Sequence, residues 1–379
     1  MRAVFISAAA LAAILPVFAV PTNVPISKYA GPVKANSYII KLKEGVSPDS
    51  HIANVIAALT SGGKIEHKYG VAFHGYAASL KGKELDFVRQ SKDVEYIVED
   101  GIMSIDYEEG DESAAVAARS EAPVAAFDKR ANGAGVDVYG IDTGIYTAHS
   151  SFGGRARWGA TFGGYANQDG NGHGTHTAGT AVGASYGVAT SANIIAVKVL
   201  SDSGSGTNSD VIAGINWAAT QARSSGRPSV ANLSLGGGAS TAVDSAVNTA
   251  ISGGLHFAIA AGNSNVDASS TSPARVAAAN TVGAVDSSNR KASFSNYGSV
   301  LDVWAPGVNI LSAWIGGTTR TNTISGTSMA SPRVAGYIAV HIGNSGGSPS
   351  AVSSALKSSA RAVVTGAPSG TTNLLAQPF

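Results

Sequence analysis

The sequence predicts an α/β fold for its larger part, a three-layer sandwich in which helices cover both faces of a mainly parallel central sheet. The main observation is a series of short, almost continuous apolar runs, separated by helical stretches, from Val136 onward. Strands that are buried on both faces have this pattern. A second observation is a more highly charged segment before them, which predicts a separate small α+β domain. The apolar runs are Val136–Ile141, Ile194–Leu200, Val230–Leu235, Leu255–Ala261, Thr281–Val285 and Val300–Trp304.

The charged segment extends from residue 35 to about 107 and is rich in Lys and Glu. Its apolar spacing alternates between strand and helix periods. The order strand, helix, strand, helix, strand is typical of a small ferredoxin-like sandwich. The predicted elements are strand Ser37–Leu42, helix Pro48–Ser61, strand Gly70–Leu80, helix Lys83–Gln90, and further strand over Val94–Ile97 and Ile102–Ile105.

Three of the predicted helices lie among the later apolar runs. Asp210–Arg223 has its apolar residues on one face, and Ser209 is its predicted N-cap. Ala242–Ile251 and Ser350–Ser359 show less regular helical spacing. The segment 108–132 has no clear period, and we interpret it as a linker or processing region.

The composition limits the classes of function. The 379 residues are 44% hydrophobic and 13% charged, which suits a globular protein of two domains. The net charge of +1 gives no reason to expect nucleic acid or an anionic membrane as a partner. The absence of Cys excludes disulfides, thiolate catalysis and Cys-ligated metals. We expect a monomer.

The N-terminus predicts secretion. A positive start at Arg2 precedes an apolar stretch from Val4 to Val20, with small or apolar residues before position 20. We interpret residues 1–19 as a cleaved signal peptide and expect an extracellular protein. The alternative is a membrane anchor, but the stretch is short and contains Pro16. The chain is therefore predicted to contain a signal peptide (1–19), the small α+β domain (20–107), the linker or processing region (108–132) and the larger α/β domain (133–379).

Three short polar segments lie where open α/β sheets place their ligands. In Gly140–Gly144, a buried strand ends on Asp142. In Asp169–His176, a glycine-rich loop brings His173 to a predicted helix start. In Ser325–Pro332, Ser328 lies at a predicted helix N-terminus, where the helix dipole favours developing negative charge.

Each segment alone has a simpler explanation. Asp142 could satisfy turn amides, His173 could be an ordinary loop residue or pair with His176 on a metal, and Ser328 could be an N-cap. Together they form a nucleophile, a base and a carboxylate that orients the base. The chain order Asp, His, Ser is one of the three orders of serine hydrolases.

In these segments the chain resembles the subtilisin-like serine proteases, and within them the fungal proteinase K-like branch. YGIDTG, DGNGHGTHTAGT and ISGTSMASP are similar to the three signature blocks, and SFSNYGSVLDVWAPG and VLSDSGSG support the placement. The resemblance covers Gly135 to about Leu375, and residues 35–107 resemble the inhibitor-type propeptide of the family. It implies that Asp142, His173 and Ser328 are the catalytic triad.

The resemblance also implies the remaining site residues. Asn263 would donate to the oxyanion together with the backbone N–H of Ser328. Substrate would bind as an extended strand between two edges, with its side chain before the cut in an uncharged pocket, which implies an apolar or aromatic preference. The implied edges are Gly204-Ser205-Gly206 and Ser234-Leu235-Gly236-Gly237, and the implied pocket walls are Leu235-Gly236 and Ala260-Ala261-Gly262.

The family's calcium site maps onto Asp302 with the carbonyls of Ala277 and Ala279, and one structural calcium ion is expected there. Two features depart from the family. The Trp-Gly motif that normally follows the propeptide is not found between Asp106 and Gly133. Arg333 stands where close relatives usually have His. Separately, the Lys129-Arg130 pair could be a dibasic processing site, although we interpret it as a surface turn.

The sequence therefore predicts a secreted serine endopeptidase that is made as a precursor, cleaves itself, and is inhibited by its own propeptide until the propeptide is degraded. One alternative is a catalytically inactive relative that binds peptides. Another is a nucleotide-binding α/β protein, which the missing Gly-x-Gly-x-x-Gly turn disfavours.

Overall fold

The computed structural model describes residues 23–59, 62–110 and 132–379. The predicted signal peptide, the Lys129-Arg130 pair and most of the predicted processing region lie outside these residues. No helix in the described ranges has the length and apolar character needed to cross a membrane.

The N-terminal domain, residues 23–106, has the order β-α-β-β-α-β after a short first strand. Its sheet has the order β1-β5-β2-β4-β3, antiparallel except for the pairing of β1 with β5. The elements are β1 (Ile26–Ser27), β2 (Val33–Leu42), α1 (Pro48–Ala58), β3 (Lys64–Lys68), β4 (Gly75–Ser79), α2 (Lys83–Arg89) and β5 (Val94–Ser104).

Each face of this sheet has a different partner. Ile40 and Ile97 point to the face that α1 and α2 cover. Ile39 and Val98, one residue away, point to the opposite face and pack against the second domain. Because successive strand residues face opposite sides, one alternating pattern builds both the small core and the interface.

The C-terminal domain, residues 132–379, is built on a nine-stranded sheet. Its order is β19-β20-β16-β15-β13-β11-β7-β9-β8, and all pairs are parallel except β19 with β20. The strands are β7 (Asp137–Asp142), β8 (Ala156–Thr161), β9 (Asn193–Lys198), β11 (Ser229–Leu233), β13 (His256–Ala260), β15 (Asn280–Val285), β16 (Val303–Pro306), β19 (Arg361–Ala362) and β20 (Leu374–Leu375).

Short strands outside the central sheet lie around its carboxyl end. They are β6 (Glu108–Glu109), β10 (Ser205–Thr207), β12 (Gly237–Gly238), β14 (Thr271–Ser272), β17 (Ile310–Ala313) and β18 (Thr321–Ser325). The helices are α3 (His173–Val182), α4 (Asn208–Ser225), α5 (Thr241–Ser252), α6 (Thr327–Ser345) and α7 (Pro349–Ser359).

Helices cover both faces of the central sheet. Tyr139 and Ile141 of β7 pack in the cluster that contains α4 and α5. Val138 of the same strand packs in the cluster that contains α3, α6 and α7. The predicted three-layer α/β sandwich with a mainly parallel sheet, preceded by a small α+β domain, is confirmed.

Several element predictions need correction. β3 was not predicted because its residues are only partly buried and its polar side chains hide the strand period. β8 was missed for the same reason, as an edge strand that contains Arg157. The cap of α4 is Thr207, whose side chain accepts the Asp210 N–H, and not Ser209. Ser209 instead lies inside the first turn.

The two domains meet at the N-terminus of α4. The Asp100 carboxylate of the N-terminal domain accepts the Ser209 N–H at 2.9 Å and its hydroxyl at 2.6 Å. Asn216 Oδ1 accepts three consecutive N–H groups of the other domain, at residues 70–72. Since free N–H groups at a helix start favour a carboxylate, Asp100 caps α4 from another domain.

Candidate active site

Three side chains predicted from separate segments lie together at the carboxyl end of the central sheet. Asp142 is the last residue of β7, His173 is the first residue of α3, and Ser328 is the second residue of α6. All three are almost completely buried. Parallel strands end at the same sheet edge, so the strand end and the two helix starts converge there.

Asp142 holds the His173 ring. His173 Nδ1 lies 2.8 Å from Asp142 Oδ1 and 3.0 Å from Oδ2. The carboxylate also accepts the Thr143 N–H at 2.7 Å. An acid at Nδ1 selects the tautomer with the proton on that nitrogen and leaves Nε2 as the basic atom.

The loop before His173 is anchored by a second acid, Asp169. One of its oxygens accepts the Gly172 N–H at 2.8 Å and the Thr143 hydroxyl at 2.9 Å. The other accepts the Thr175 N–H at 2.9 Å and its hydroxyl at 2.6 Å. Asp169 therefore ties the Asp142 turn to the first turn of α3, which fixes how the two catalytic candidates face each other.

His176 has a structural position. Its Nε2 lies 2.9 Å from the Ile310 carbonyl and 3.2 Å from the Asn322 carbonyl, so it donates to backbone and has no lone pair there for a metal. Burial lowers the pKa of His176 to about 3. The alternative of a His173–His176 metal pair is not supported, and no cluster of three possible metal ligands occurs among the described residues.

The nucleophile and the base are not hydrogen-bonded to each other. Ser328 Oγ donates to the Ser234 carbonyl at 3.2 Å. His173 Nε2 has no hydrogen-bond partner within the described ranges. A rotation of the Ser328 side chain away from Ser234 is therefore required before His173 can take its proton.

Asn263 is held with its amide N–H₂ toward the cleft. Its Oδ1 accepts the Thr327 N–H and the Thr327 hydroxyl, both at 2.8 Å. Its Nδ2 donates to the carbonyl of Asp106 at 2.5 Å. The carbonyl therefore lies next to the start of α6, where free N–H groups also favour an oxyanion. Thr327 was not among the predicted site residues, although it precedes the nucleophile directly.

Both predicted substrate edges are occupied by the end of the N-terminal domain. Ser205–Thr207 of β10 pairs antiparallel with Ile102–Ser104. On the other side Ser104 exchanges two backbone hydrogen bonds with Gly236, at 3.0 and 3.1 Å. The chain thus inserts one strand between the two edges, which is how a protease holds an extended peptide.

A cavity of about 280 Å³ opens beside Ser328 and Asn263. Its walls include Leu235, Gly236, Ala261 and Gly262, which were predicted to form the pocket. Among its described lining residues Asp106 is the single charged one, and Asp106 belongs to the inserted strand. The permanent walls of the cavity are thus uncharged.

Asp302 does not present a free donor set for calcium. Its Oδ2 accepts the Thr281 N–H, and its Oδ1 lies 2.9 Å from the Lys357 ammonium. Ala277 and Ala279 lie in the turn before β15, as the predicted site requires. A cation of the protein itself nevertheless occupies the position next to Asp302, so the residues present do not fit an additional divalent cation.

Comparison with known proteins places these features in context. A model of the subtilase family matches residues 133–375, and a model of the peptidase inhibitor I9 family matches residues 37–106. The chain is 45% identical to proteinase R of Parengyodontium album over 322 residues, which covers 83% of this chain and 81% of that protein.

Two further comparisons agree with these matches. The chain is 42% identical to alkaline serine protease ver112 of Corniculantispora psalliotae over 382 residues, which covers 97% of each chain. The crystal structure of a cold adapted subtilisin-like serine proteinase superimposes with a TM-score of 0.62 at 49% identity. That superposition covers 66% of this chain and 91% of the other.

Proposed function

Because the chain belongs to the subtilase family of serine proteases, we propose that it is a secreted endopeptidase in which Asp142, His173 and Ser328 are the catalytic residues. One observation carries this proposal. A peptide carbonyl lies on Asn263 at 2.5 Å, beside a serine at a helix start and a histidine held by a buried carboxylate. A protein that only binds peptides would need the carbonyl contact, but not a histidine held by a buried carboxylate beside that serine.

The proposed reaction follows from these positions. The Ser328 hydroxyl attacks a carbonyl carbon while His173 Nε2 takes its proton, and Asp142 stabilises the imidazolium that forms. The oxyanion then accepts hydrogen bonds from Asn263 Nδ2 and the Ser328 N–H. His173 returns the proton to the leaving nitrogen, and water hydrolyses the ester.

We expect a broad preference for apolar or aromatic side chains before the cut. The pocket walls at Leu235, Gly236, Ala261 and Gly262 offer no charged partner, so a charged side chain would lose hydration without compensation. The edges at Gly204–Gly206 and Ser234–Gly236 bind backbone, which every substrate has, and this supports broad tolerance.

The matched inhibitor domain supports production as a precursor. Secretion rests on the N-terminal sequence, where residues 1–19 have the pattern of a signal peptide. Members of the subtilase family generally bind calcium, but at Asp302 the Lys357 ammonium already supplies a positive charge, so no calcium ion is proposed there.

A serine-reactive phosphonate tests the proposal. After removal of the inhibitor domain, we expect one label per chain at Ser328 and loss of peptide hydrolysis in proportion to labelling. Ser328→Ala should abolish both, while Ser350→Ala, which removes an exposed serine hydroxyl, should change neither. A folded, fully processed protein that takes no label would favour the inactive peptide-binding alternative.

A further inference from the structure

The end of the N-terminal domain passes through the candidate active site in a single register. Met103 pairs with Gly206, and Ser104 pairs with Gly236 on the opposite edge. The next residue, Ile105, donates its N–H to the Gly204 carbonyl at 3.0 Å. With both edges engaged, the strand cannot shift by one residue without losing its backbone hydrogen bonds.

This register brings one carbonyl to the oxyanion donor, that of Asp106. The following residue, Tyr107, lies over the catalytic histidine, with its ring centroid 5.6 Å from that of His173 and the planes inclined by 29°. The bond between these two residues therefore crosses the site where the nucleophile, the base and the oxyanion donor meet.

The chain remains bound beyond that bond. Glu108 and Glu109 form β6, which pairs antiparallel with Ser325 and Ile324 of β18. Gly110 then donates its N–H to the Thr323 carbonyl at 2.9 Å. Backbone pairing on both sides holds the bond in place, and such positioning can replace much of the recognition that a free substrate needs.

We infer that the Asp106–Tyr107 peptide bond is the one that the precursor cuts in itself, an inference that rests on the proposed function. Ser328 Oγ bonds to the Asp106 carbonyl carbon as its proton passes to His173. The Asp106–Tyr107 C–N bond breaks, and the proton goes to the Tyr107 nitrogen. Water then hydrolyses the ester, which leaves an Asp106 carboxylate and a free Tyr107 amine.

This assignment moves the predicted end of the propeptide from residue 107 to 106, where the match to the inhibitor family also ends. It also implies that this cut is selected by position. Asp106 is exposed and the permanent pocket walls carry no cation to bind it. Aspartate before the cut should therefore be accepted within the precursor and poorly accepted in a free peptide.

Mass spectrometry of the first cleavage products tests the inference. We expect an N-terminal fragment that ends at Asp106 and a complementary fragment that begins at Tyr107, while Ser328→Ala stays intact. Tyr107→Pro should block this cut because the proline ring substitutes the leaving nitrogen, and Tyr107→Ala should still be cut. A first cut at any other bond, such as after Arg130, would overturn the inference and leave the proposed protease activity standing. Absence of both cutting and phosphonate labelling would instead overturn the proposed function.

A second inference concerns Asp302 and Lys357. The Asp302 carboxylate lies between β15 and α7, and its two oxygens are bound by the Thr281 N–H and the Lys357 ammonium at 2.9 Å each. The Asp302 side chain is 13% exposed and that of Lys357 is 41% exposed, so the pair is only partly open to water. An ammonium at this position supplies the positive charge that a bound cation would supply.

We propose that Lys357 is the permanent counter-ion of Asp302, so that this domain does not depend on calcium at this position. Lysine carries its charge on a compact group with three donors, which suits a single carboxylate oxygen. Removing it would leave one oxygen of a partly buried carboxylate without a counter-ion, and carboxylate oxygens are hard donors of the kind that calcium prefers.

Thermal unfolding of the Ser328→Ala precursor, in calcium and in chelator, tests this proposal. Any effect of calcium on the unfolding midpoint of the parent should be the same in Asp302→Asn, because we expect no calcium ion at Asp302. Lys357→Met should lower the unfolding midpoint and introduce a calcium-dependent rise of about 3 °C or more. Arg361→Met, which removes an exposed positive charge nearby in sequence, should do neither. A calcium shift in the parent that disappears in Asp302→Asn would overturn the proposal, as would a Lys357→Met protein with unchanged stability and no calcium response.

Discussion

Thr327 should contribute to catalysis through the orientation of Asn263. Its hydroxyl donates to Asn263 Oδ1 at 2.8 Å and accepts the Gly262 N–H at 3.1 Å. Thr327→Val removes the hydroxyl but keeps the shape of the side chain and the backbone N–H, which still holds Asn263 Oδ1. The change therefore loosens the oxyanion donor without removing it.

The size of the effect has a lower and an upper bound. An uncharged hydrogen bond contributes about 0.5–1.5 kcal/mol, which corresponds to roughly a 2- to 13-fold loss in rate. Loss of the whole donor costs about 10²–10³ in kcat, a value known for another subtilase rather than worked out for this chain. We expect kcat to fall about 3- to 10-fold and KM to stay nearly constant, since the bond acts mainly in the transition state.

Steady-state hydrolysis of a peptide substrate, with active sites titrated by the phosphonate, measures this change. Thr323→Val is the matched control, because the Thr323 hydroxyl is also buried but has no hydrogen-bond partner among the described residues. It should leave kcat within about twofold of the parent, and Thr327→Ser should restore most of the lost activity. The reasoning is refuted if Thr327→Val matches Thr323→Val, or if it is as inactive as Asn263→Ala.

Four further outcomes are expected. Asp100→Ala should weaken inhibition by the separated N-terminal domain about tenfold or more, because it leaves the buried Ser209 N–H and hydroxyl without their acceptor, which costs about 1–3 kcal/mol, while the exposed Asp49→Ala should not. Burial raises the pKa of Asp100 above 3.8, so the complex takes up a proton and inhibition should weaken as the pH rises through that raised pKa, with a smaller slope in Asp100→Ala, which keeps the His67–Asp210 contact at the same interface. The pKa of His176 falls from 6.5 to about 3 on folding. The free energy of unfolding should therefore decrease by on the order of 4–5 kcal/mol as the pH falls between these values. Acid unfolding measures this decrease, and His176→Gln should make it smaller. Gly144→Ala should lower the unfolding midpoint more than Gly135→Ala, because both have positive φ but a Cβ at Gly144 would lie 2.8 Å from the Trp158 ring and one at Gly135 meets open space.

The central sheet could be predicted because its strands are buried on both faces. Each of the six apolar runs corresponds to an observed strand, with ends that differ by at most three residues. Two of the strands that were missed, β3 and β8, are edge strands with mixed polar residues, so their periods resemble those of loops. The strands that are buried on both faces were therefore predicted, and the partly exposed strands β3 and β8 were not.

The catalytic candidates were predictable for a different reason. Asp142, His173 and Ser328 each follow a local signal, a strand end or a helix start, and their segments have long characteristic motifs. Asp106 has no such signal. Its carbonyl reaches Asn263, 157 residues away in sequence, only because two backbone edges set its register. No property of the Asp106 side chain reveals this position, because main-chain hydrogen bonds alone place the Asp106–Tyr107 bond at the candidate active site.

The calcium prediction also depends on a contact between residues that are distant in sequence. Asp302 lies in a motif that matches the family, and its position before β16 is as the motif implies. Its partner Lys357 lies 55 residues later, outside any motif, on a helix whose pattern predicts only secondary structure. A motif identifies only its own residues. The charged group that contacts a carboxylate can come from any element that packs against it, here α7. If Lys357→Met gains calcium binding at Asp302, the ion and the ammonium will have been shown to be alternatives at one position, and the family motif alone cannot distinguish between them.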